Sequence, residues 1–284
     1  MTRAHGANEA DPLVRPFLKW VGGKRQLLHE IAPLVPRDGG RYFEPFIGGG
    51  AVLFATQPRK AVVNDANPGL IEVYGVLRDD LPGLLVELRR HVNTAAHYYA
   101  VRDWDRDPAA FAALPPASRA ARFIYLNKTC YNGLYRVNAS GLFNTPFGNY
   151  ANPAIVDEPV LRAVSSYLRG ADAQLSTGDY GESLSTATTG DFAYLDPPYD
   201  PVSETSNFTG YVQGGFARAE QVRLRETCDD LNARGVRFLL SNSATEFIRD
   251  QYANYTVQIV RATRAINSKA SGRGAIDEVL VRNF

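Results

Sequence analysis

Arg41-Tyr42-Phe43-Glu44-Pro45-Phe46-Ile47-Gly48-Gly49-Gly50, running on through Ala51 to Ala55, reads as strand, glycine turn and helix. Contiguous glycines let a ligand approach the backbone at a helix N-terminus. The spacing is not the dinucleotide fingerprint, and no phosphate-binding lysine follows as in a P-loop. An acid, Glu44, precedes the turn instead. That disfavours a pyrophosphate and favours a ligand carrying amino groups, positive charge or hydroxyls. A second unit follows at once. Ala61-Val62-Val63 is a short apolar strand ending in Asn64-Asp65, and Asn67 is placed to cap a helix from Pro68 to about Arg78. An acid at the second strand tip, about 20 residues after the glycine turn, is where such sheets hold ribose hydroxyls. A helix-capping acid is the plainer alternative for Asp65. Two such units in succession predict an open α/β sheet with a nucleoside at its carboxyl edge.

Upstream, Pro16 to Lys24 sets Gly22-Gly23 between aromatic and lysine residues. It is either a loop that admits a carboxylate-bearing ligand beside Lys24 or a plain Gly-Gly loop before a short helix at Gln26 to Leu34. Downstream, residues 80–170 interrupt the alternation. Helices are expected at Leu81 to Val92, Thr94 to Trp104 and Ser118 to Leu126. A hairpin or looped ribbon is expected from Asn127 to Asn144, where Asn132-Gly133 and Ser140-Gly141 are turn signals. The ribbon holds Tyr, Asn, Arg, Lys and Leu without an acid, a mix that reads bases and inserts between them. The sheet resumes near Gln174-Leu175-Ser176, with Gly178-Asp179-Tyr180 at its tip. Asp179 and Tyr180 could bracket a ring, or Asp179 could be an ordinary loop acid. Further elements are expected at Arg218 to Arg234 (helix), Val236 to Leu240 (strand), Thr245 to Tyr252 (helix), Tyr255 to Val260 and Ile276 to Val281 (strands), with Ser203 to Gly215 a candidate lid.

Within the resumed sheet, the apolar run Phe192-Ala193-Tyr194-Leu195 leads into Asp196-Pro197-Pro198-Tyr199. Each proline restricts the residue before it to extended backbone. A carboxylate, the Pro197 carbonyl and an aromatic face therefore share one stiff tetrapeptide at the carboxyl edge. That set suits an exocyclic amine on a planar ring, with two acceptors for its hydrogens and a platform for the ring. A solvated turn after a strand is the alternative.

Composition narrows the class. The 284 residues are 45% hydrophobic and 21% charged, with a net charge of +1, as in an ordinary globular protein. The polar start, Met1 to Asp11, predicts no signal peptide, and no apolar run reaches the ~18 residues of a membrane span. Cys130 and Cys228 lack metal spacing and suit a reducing cytoplasm. Charge is uneven. Pro108 to Val156 holds Arg119, Arg122, Lys128 and Arg136 and no acid; Gln251 to Ile276 holds Arg261, Arg264, Lys269 and Arg273 and no acid. Two such windows suggest a nucleic-acid face, with chance clustering on solvated faces the alternative.

PFLKWVGGK, FEPFIGGGAVLF and DPPY, in that order, with YNGLYRVN, SGLFN and PFGNY between the last two, resemble the Dam-type (alpha-group) DNA adenine-N6 methyltransferases from about Pro16 to Phe284. The INSKASGRG loop resembles that family's DNA-contacting tail. The resemblance implies a Rossmann-like α/β methyltransferase sheet. Residues 15–79 plus 171–284 would form the catalytic and cofactor-binding domain. Residues 80–170 would form an inserted, mostly helical target-recognition subdomain carrying a β-hairpin. It implies S-adenosyl-L-methionine as methyl donor and no metal. Trp20 and Lys24 would lie at the cofactor's methionyl part, Phe46 and Gly48 along it, Asp65 at its ribose, and Asp179 with Tyr180 around its adenine. Asp196, Pro197 and Tyr199 would hold a target adenine.

Double-stranded DNA is the implied partner, no membrane is involved, and a separate cognate restriction endonuclease is left open. Arg136 would read the first guanine of GATC. Leu134 and Pro146 would pack on base edges, core packing being an equal alternative. Tyr131 and Asn132 would enter the gap at the target, Lys128 would meet a phosphate or base edge, and Arg264 and Lys269 phosphates. A methylase of an RNA or protein amine, or a DNA-binding protein without catalysis, are the competing functions. Relatives acting on those other amines usually carry Asn where Asp196 stands.

Overall fold

The computed structural model describes residues 10–202, 216–263 and 275–284. Seven strands form one sheet in the order β3-β2-β1-β4-β5-β7-β6. They are β1 (Tyr42–Glu44), β2 (Ala61–Asp65), β3 (Gln174–Thr177), β4 (Phe192–Leu195), β5 (Arg237–Ser243), β6 (Thr256–Thr263) and β7 (Ala275–Arg282). The first five run parallel. β7 inserts antiparallel between β5 and β6. β1 pairs with β2 on one side and β4 on the other. Strand order therefore reverses at β1/β4, the switch point beyond whose carboxyl ends open α/β sheets place their ligands. The glycine turn leaves β1, and Asp196 leaves β4. The two stretches singled out in the sequence flank that crevice.

Alternation along the strands divides the core in two. Tyr42, Phe192, Tyr194 and Leu239 face one side; Phe43, Ala193, Leu195, Phe238 and Leu240 face the other. β4 is buried at all four positions, as a central parallel strand must be. The first side is covered by the helices Pro68–Asp79, Pro116–Thr129 and Glu158–Gly170. The second carries Leu224, Cys228 and Leu231 of a helix at Arg218–Ala233. Asn67 caps the Pro68–Asp79 helix as expected, its side chain accepting from Leu70 N.

Helices at Leu81–Leu88 and Ala95–Arg102 lie close to their expected positions. The helix expected at Gln26 to Leu34 is broken into a 3₁₀ turn (Lys24–Gln26), one α-turn (Leu28–Ile31) and a second 3₁₀ turn around Pro33, because proline removes a donor there. Within residues 80–170, Ala120, Ala121, Phe123 and Ile124 join the first core. Tyr98, Val101, Tyr125, Leu126, Cys130 and Phe143 form a satellite cluster.

The expected ribbon is pinned at single bridges, Val137↔Phe143 and Cys130↔Phe147, rather than paired along its length. Short backbone pairing closes it, Asn138 N donating to Leu142 O and Asn144 N to Arg136 O, and Asn138 Oδ1 accepts from Ser140 N and Leu142 N at the turn, each at 3.0 Å.

Candidate active site

Asp196 sits one residue past β4, and the parallel register Leu195↔Leu240 brings Ser241 of β5 beside it. Ser241 Oγ donates to Asp196 Oδ1 at 2.9 Å, and Lys24 Nζ pairs with the same oxygen at 2.8 Å. The Lys24 side chain is 7% exposed and that of Asp196 20%. Lys24 also donates to Gly22 O at 2.6 Å and lies 4.7 Å from the Tyr199 ring centre. Tyr199 O–H donates to Glu278 Oε2 at 2.8 Å, which anchors the ring from β7. Gln221 Nε2 donates to Pro198 O, and Asn242 Nδ2 donates to Gln221 Oε1. Asn242 Oδ1 accepts from Asp200 N. The tetrapeptide is thus a framed loop, not a solvated turn. Asp196, Tyr199 and, from far upstream, Lys24 are brought together.

Burial raises the Asp196 carboxyl above its ordinary range, opposed by the Lys24 ammonium and the Ser241 hydroxyl. Glu44, 2% exposed at the tip of β1, is pushed up to about 8 by burial and the neighbouring Asp196 charge, against the pull of the Tyr42 hydrogen bond and Lys24. Tyr42 O–H donates to it at 2.6 Å.

The glycine turn is closed by its neighbours. Gly48 N donates to Asp65 Oδ2 at 3.0 Å, and Asn67 N donates to Asp65 Oδ1 at 2.9 Å. Burial raises the Asp65 carboxyl. Gly48 has φ +47°, and a Cβ there would lie 2.6 Å from Trp20 Cδ1. Trp20 packs on the turn and stacks with Phe123 and Tyr135 at 6.3 and 5.7 Å. Asn64 stitches the neighbouring tips, donating to Pro45 O and Gly178 O. Asp179 caps a short helix at Tyr180–Leu184 through Gly181 N and pairs with Arg223 at 2.5 Å, which lowers its carboxyl. Phe46, Tyr180 and Phe216 cluster with ring centres 5.2 to 6.1 Å apart. Among the described residues no group of acids, histidines and cysteines could hold a metal.

Sequence reasoning missed Ser241, Asn242, Gln221 and Glu278. One signal was available: the apolar run Phe238-Leu239-Leu240 ends in Ser241-Asn242-Ser243, a polar tip on a buried strand.

The recognition candidates are spread over the ribbon. Tyr131 is 57% exposed, Asn132 is exposed with φ +57°, and Pro146 is exposed. Leu134 is half-buried. Arg136 is exposed, and its Nε donates to Asn144 Oδ1 at 2.9 Å. Lys128 is half-buried, and burial lowers its ammonium despite nearby Asp157, helped by the charges of Lys19, Arg15 and Arg25. Lys19, which the sequence did not single out, runs its stem across Gly133 and its Nζ over Tyr150 at 4.3 Å.

Arg119 pairs with Glu72, and Arg122 with Asp105 at 2.8 Å while donating to the carbonyls of Val101 and Arg102. Two of the four cations in the first charge window are therefore engaged in holding helices together. Arg264, Lys269 and the candidate lid at Ser203 to Gly215 lie outside the described residues.

Over residues 20–266 the chain matches the family described as D12 class N6 adenine-specific DNA methyltransferase. It is 42% identical over 274 residues to the type II methyltransferase M1.LlaDCHI of Lactococcus lactis subsp. cremoris, covering 95% of this chain and 96% of that protein. It is 38% identical over 292 residues to the type II methyltransferase M.MjaIII of Methanocaldococcus jannaschii, covering 95% and 99%. Against a DNA adenine methylase of Serratia marcescens the identity is 33% over 271 residues, covering 94% and 97%.

Proposed function

Because the chain belongs to the D12 class N6 adenine-specific DNA methyltransferases, we propose that Asp196, Pro197 and Tyr199 hold an adenine extruded from duplex DNA, with GATC as the target site. The observation that carries this reading is the Asp196 carboxylate framed at the β1/β4 crevice by Lys24 and Ser241. An adenine amine inside a duplex is out of reach, so the base must leave the stack, at a cost of about a few kcal/mol. Its nitrogen is a poor nucleophile because the lone pair is delocalised into the ring. Asp196 and the Pro197 carbonyl accept the two amine hydrogens, which favours a pyramidal nitrogen and frees the lone pair. Tyr199, anchored by Glu278, provides the stacking face. Much of the rate then comes from positioning and from acceptors aimed at the charge developing on nitrogen.

S-adenosylmethionine fits the residues present: acids at the tips of β1 and β2, a glycine turn, and the aromatic trio Phe46, Tyr180 and Phe216. When bound it supplies an electrophilic methyl group. Trp20, Lys24, Phe46 and Gly48 would line it, Asp65 would take its ribose hydroxyls, and Asp179 with Tyr180 its adenine. Lys24 would do so from its place beside Asp196.

Residues 80–170 would deliver the DNA, with Arg136 reading guanine through O6 and N7. Leu134 and Pro146 would meet base edges, Tyr131 and Asn132 would enter the helix, and Lys128 would contact the backbone or a base edge; Arg264 and Lys269 would meet phosphates. The type II names of two relatives favour a separate cognate nuclease, and a DNA substrate favours a cytoplasmic setting. Transfer of labelled methyl from S-adenosylmethionine to duplexes with and without GATC tests the reading. Transfer confined to GATC is expected. Transfer indifferent to it would remove the site assignment, and none to any adenine-containing DNA would remove the function.

A further inference from the structure

Asp196 does not present two equivalent oxygens. Lys24 Nζ and Ser241 Oγ both fall on Oδ1, at 2.8 and 2.9 Å, and among the described residues no donor reaches Oδ2. The two donors differ in kind. Lys24 is a long side chain at the start of a 3₁₀ turn. Ser241 is fully buried on β5, short, and fixed by strand register. Behind it, Tyr194 O–H lies 3.1 Å from Ser241 Oγ. Tyr194 is also fully buried and belongs to β4 itself.

Hydrogen bookkeeping orients this chain. An ionised carboxylate only accepts, and a serine hydroxyl has one hydrogen. Ser241 therefore spends that hydrogen on Asp196, and Tyr194 donates to Ser241. Each hydroxyl polarises the next, which strengthens the bond at the carboxylate. Turning the Asp196 carboxylate out of its present plane would lose both bonds, so the pair fixes the plane and with it the direction in which the second oxygen points.

We propose that Ser241, backed by Tyr194, is a positioning residue for methyl transfer, fixing the Asp196 carboxylate so that Oδ2 is the oxygen that accepts the target amine's hydrogen. The proposal rests on the reading of Asp196 as that acceptor. It adds a division of labour: Oδ1 is held by the protein, and Oδ2 is kept for the substrate.

Removing the Ser241 donor has a directional consequence. A hydrogen bond to the charged form favours that form, so its loss lets the Asp196 carboxyl rise further. Activity that needs the ionised group is then lost at higher pH as pH falls. The groups around Asp196 are Lys24 from the first loop, Glu44 from β1, Tyr194 from β4, Ser241 from β5, and Tyr199 with Glu278 of β7. A Ser241 substitution leaves the other groups chemically unchanged.

The test is single-turnover methyl transfer to unmethylated, adenine-containing duplex DNA across pH, with S-adenosylmethionine binding measured separately. Ser241→Ala should slow transfer by about 10- to 100-fold, the weight of one hydrogen bond to a charged group. Its acidic limb should move to higher pH and its cofactor affinity should hold. Ser241→Thr, which restores the hydroxyl, should recover most of the rate. Tyr194→Phe should give a smaller loss with a limb shift of the same sign. A wild-type rate and an unmoved limb in Ser241→Ala overturn the proposal. So does an equal loss in the Ala and Thr variants accompanied by lost cofactor binding. If Ser241→Ala does not fold, Tyr194→Phe decides: an unchanged rate and limb there overturn it as well. Wild-type protein that transfers nothing would instead sink the reading of Asp196 on which all this rests.

Discussion

The carboxyl edge of the sheet and the ribbon from Asn127 to Asn144 are built on opposite plans. At the edge, Asp196, Pro198, Tyr199 and Asp200 are held by Lys24, Ser241, Gln221, Asn242 and Glu278, which come from four separate parts of the chain. Between Asn127 and Asn144 the backbone makes one internal bridge; Tyr131 and Arg136 are exposed, while Phe143 is buried and Tyr135 stacks on Trp20 and Phe123. That ribbon is secured from beneath. Phe143 N donates to Asp105 Oδ2, whose carboxylate pairs with the buried Arg122, and Tyr98 O–H donates to Thr145 O. Catalysis needs acceptors whose geometry is set before substrate arrives. Reading a base needs side chains that can reach a groove from a supported base.

The comparison can be broken at its rigid end first. Asp196→Ala should cut methyl transfer by about a thousandfold, the scale of removing a preset group aimed at developing charge. Cofactor affinity, measured by equilibrium titration, should survive. Loss of both together would make Asp196 chiefly structural.

The support beneath the ribbon comes next. Asp105→Ala strands the Arg122 guanidinium, whose side chain is 8% exposed, and should cost about 3 kcal/mol in a denaturant titration. A change within error would mean that water or another acceptor satisfies Arg122.

At the ribbon itself the effect is smaller and of another kind. Arg136→Ala should relax discrimination at one base pair by ~1–3 kcal/mol while leaving stability alone. An unchanged preference across a panel of single-substitution duplexes would remove Arg136 as the reader.

Last comes a slope rather than a step. Glu44 titrates near 8 in the folded protein, against an ordinary glutamate value of 4.5. The folded state therefore holds an extra proton between those values, so stability falls as pH rises through that window and levels off above it. Glu44→Gln should flatten that part of the stability-against-pH curve. A slope identical to wild type would show that Glu44 is ionised when folded.

What the sequence made legible was local. Consecutive prolines stiffen Asp196 to Tyr199 by sterics alone, Asn67 caps the helix it precedes, and the β-turn-α units announce the sheet. The partners were not local. Ser241 reaches Asp196 only because β5 lies beside β4 in a particular register, and Lys24 reaches it across most of the chain. Distance in sequence likewise hid which cations of the first charge window are already paired. The acids that neutralise Arg119 and Arg122, Glu72 and Asp105, lie outside the acid-free stretch. The ribbon's pairing is short: Asn138 N donates to Leu142 O and Asn144 N to Arg136 O, while Asn138 Oδ1 takes the turn donors Ser140 N and Leu142 N.

We propose that the framed Asp196 makes an extruded adenine's amine nucleophilic at one short site. Base-resolution mapping of methylation in DNA from cells expressing the wild type and Asp196→Ala tests this. N6-methyladenine at GATC is expected with the wild type and none with the variant. Methyl groups on cytosine, or adenine methylation that persists in the variant, would contradict it.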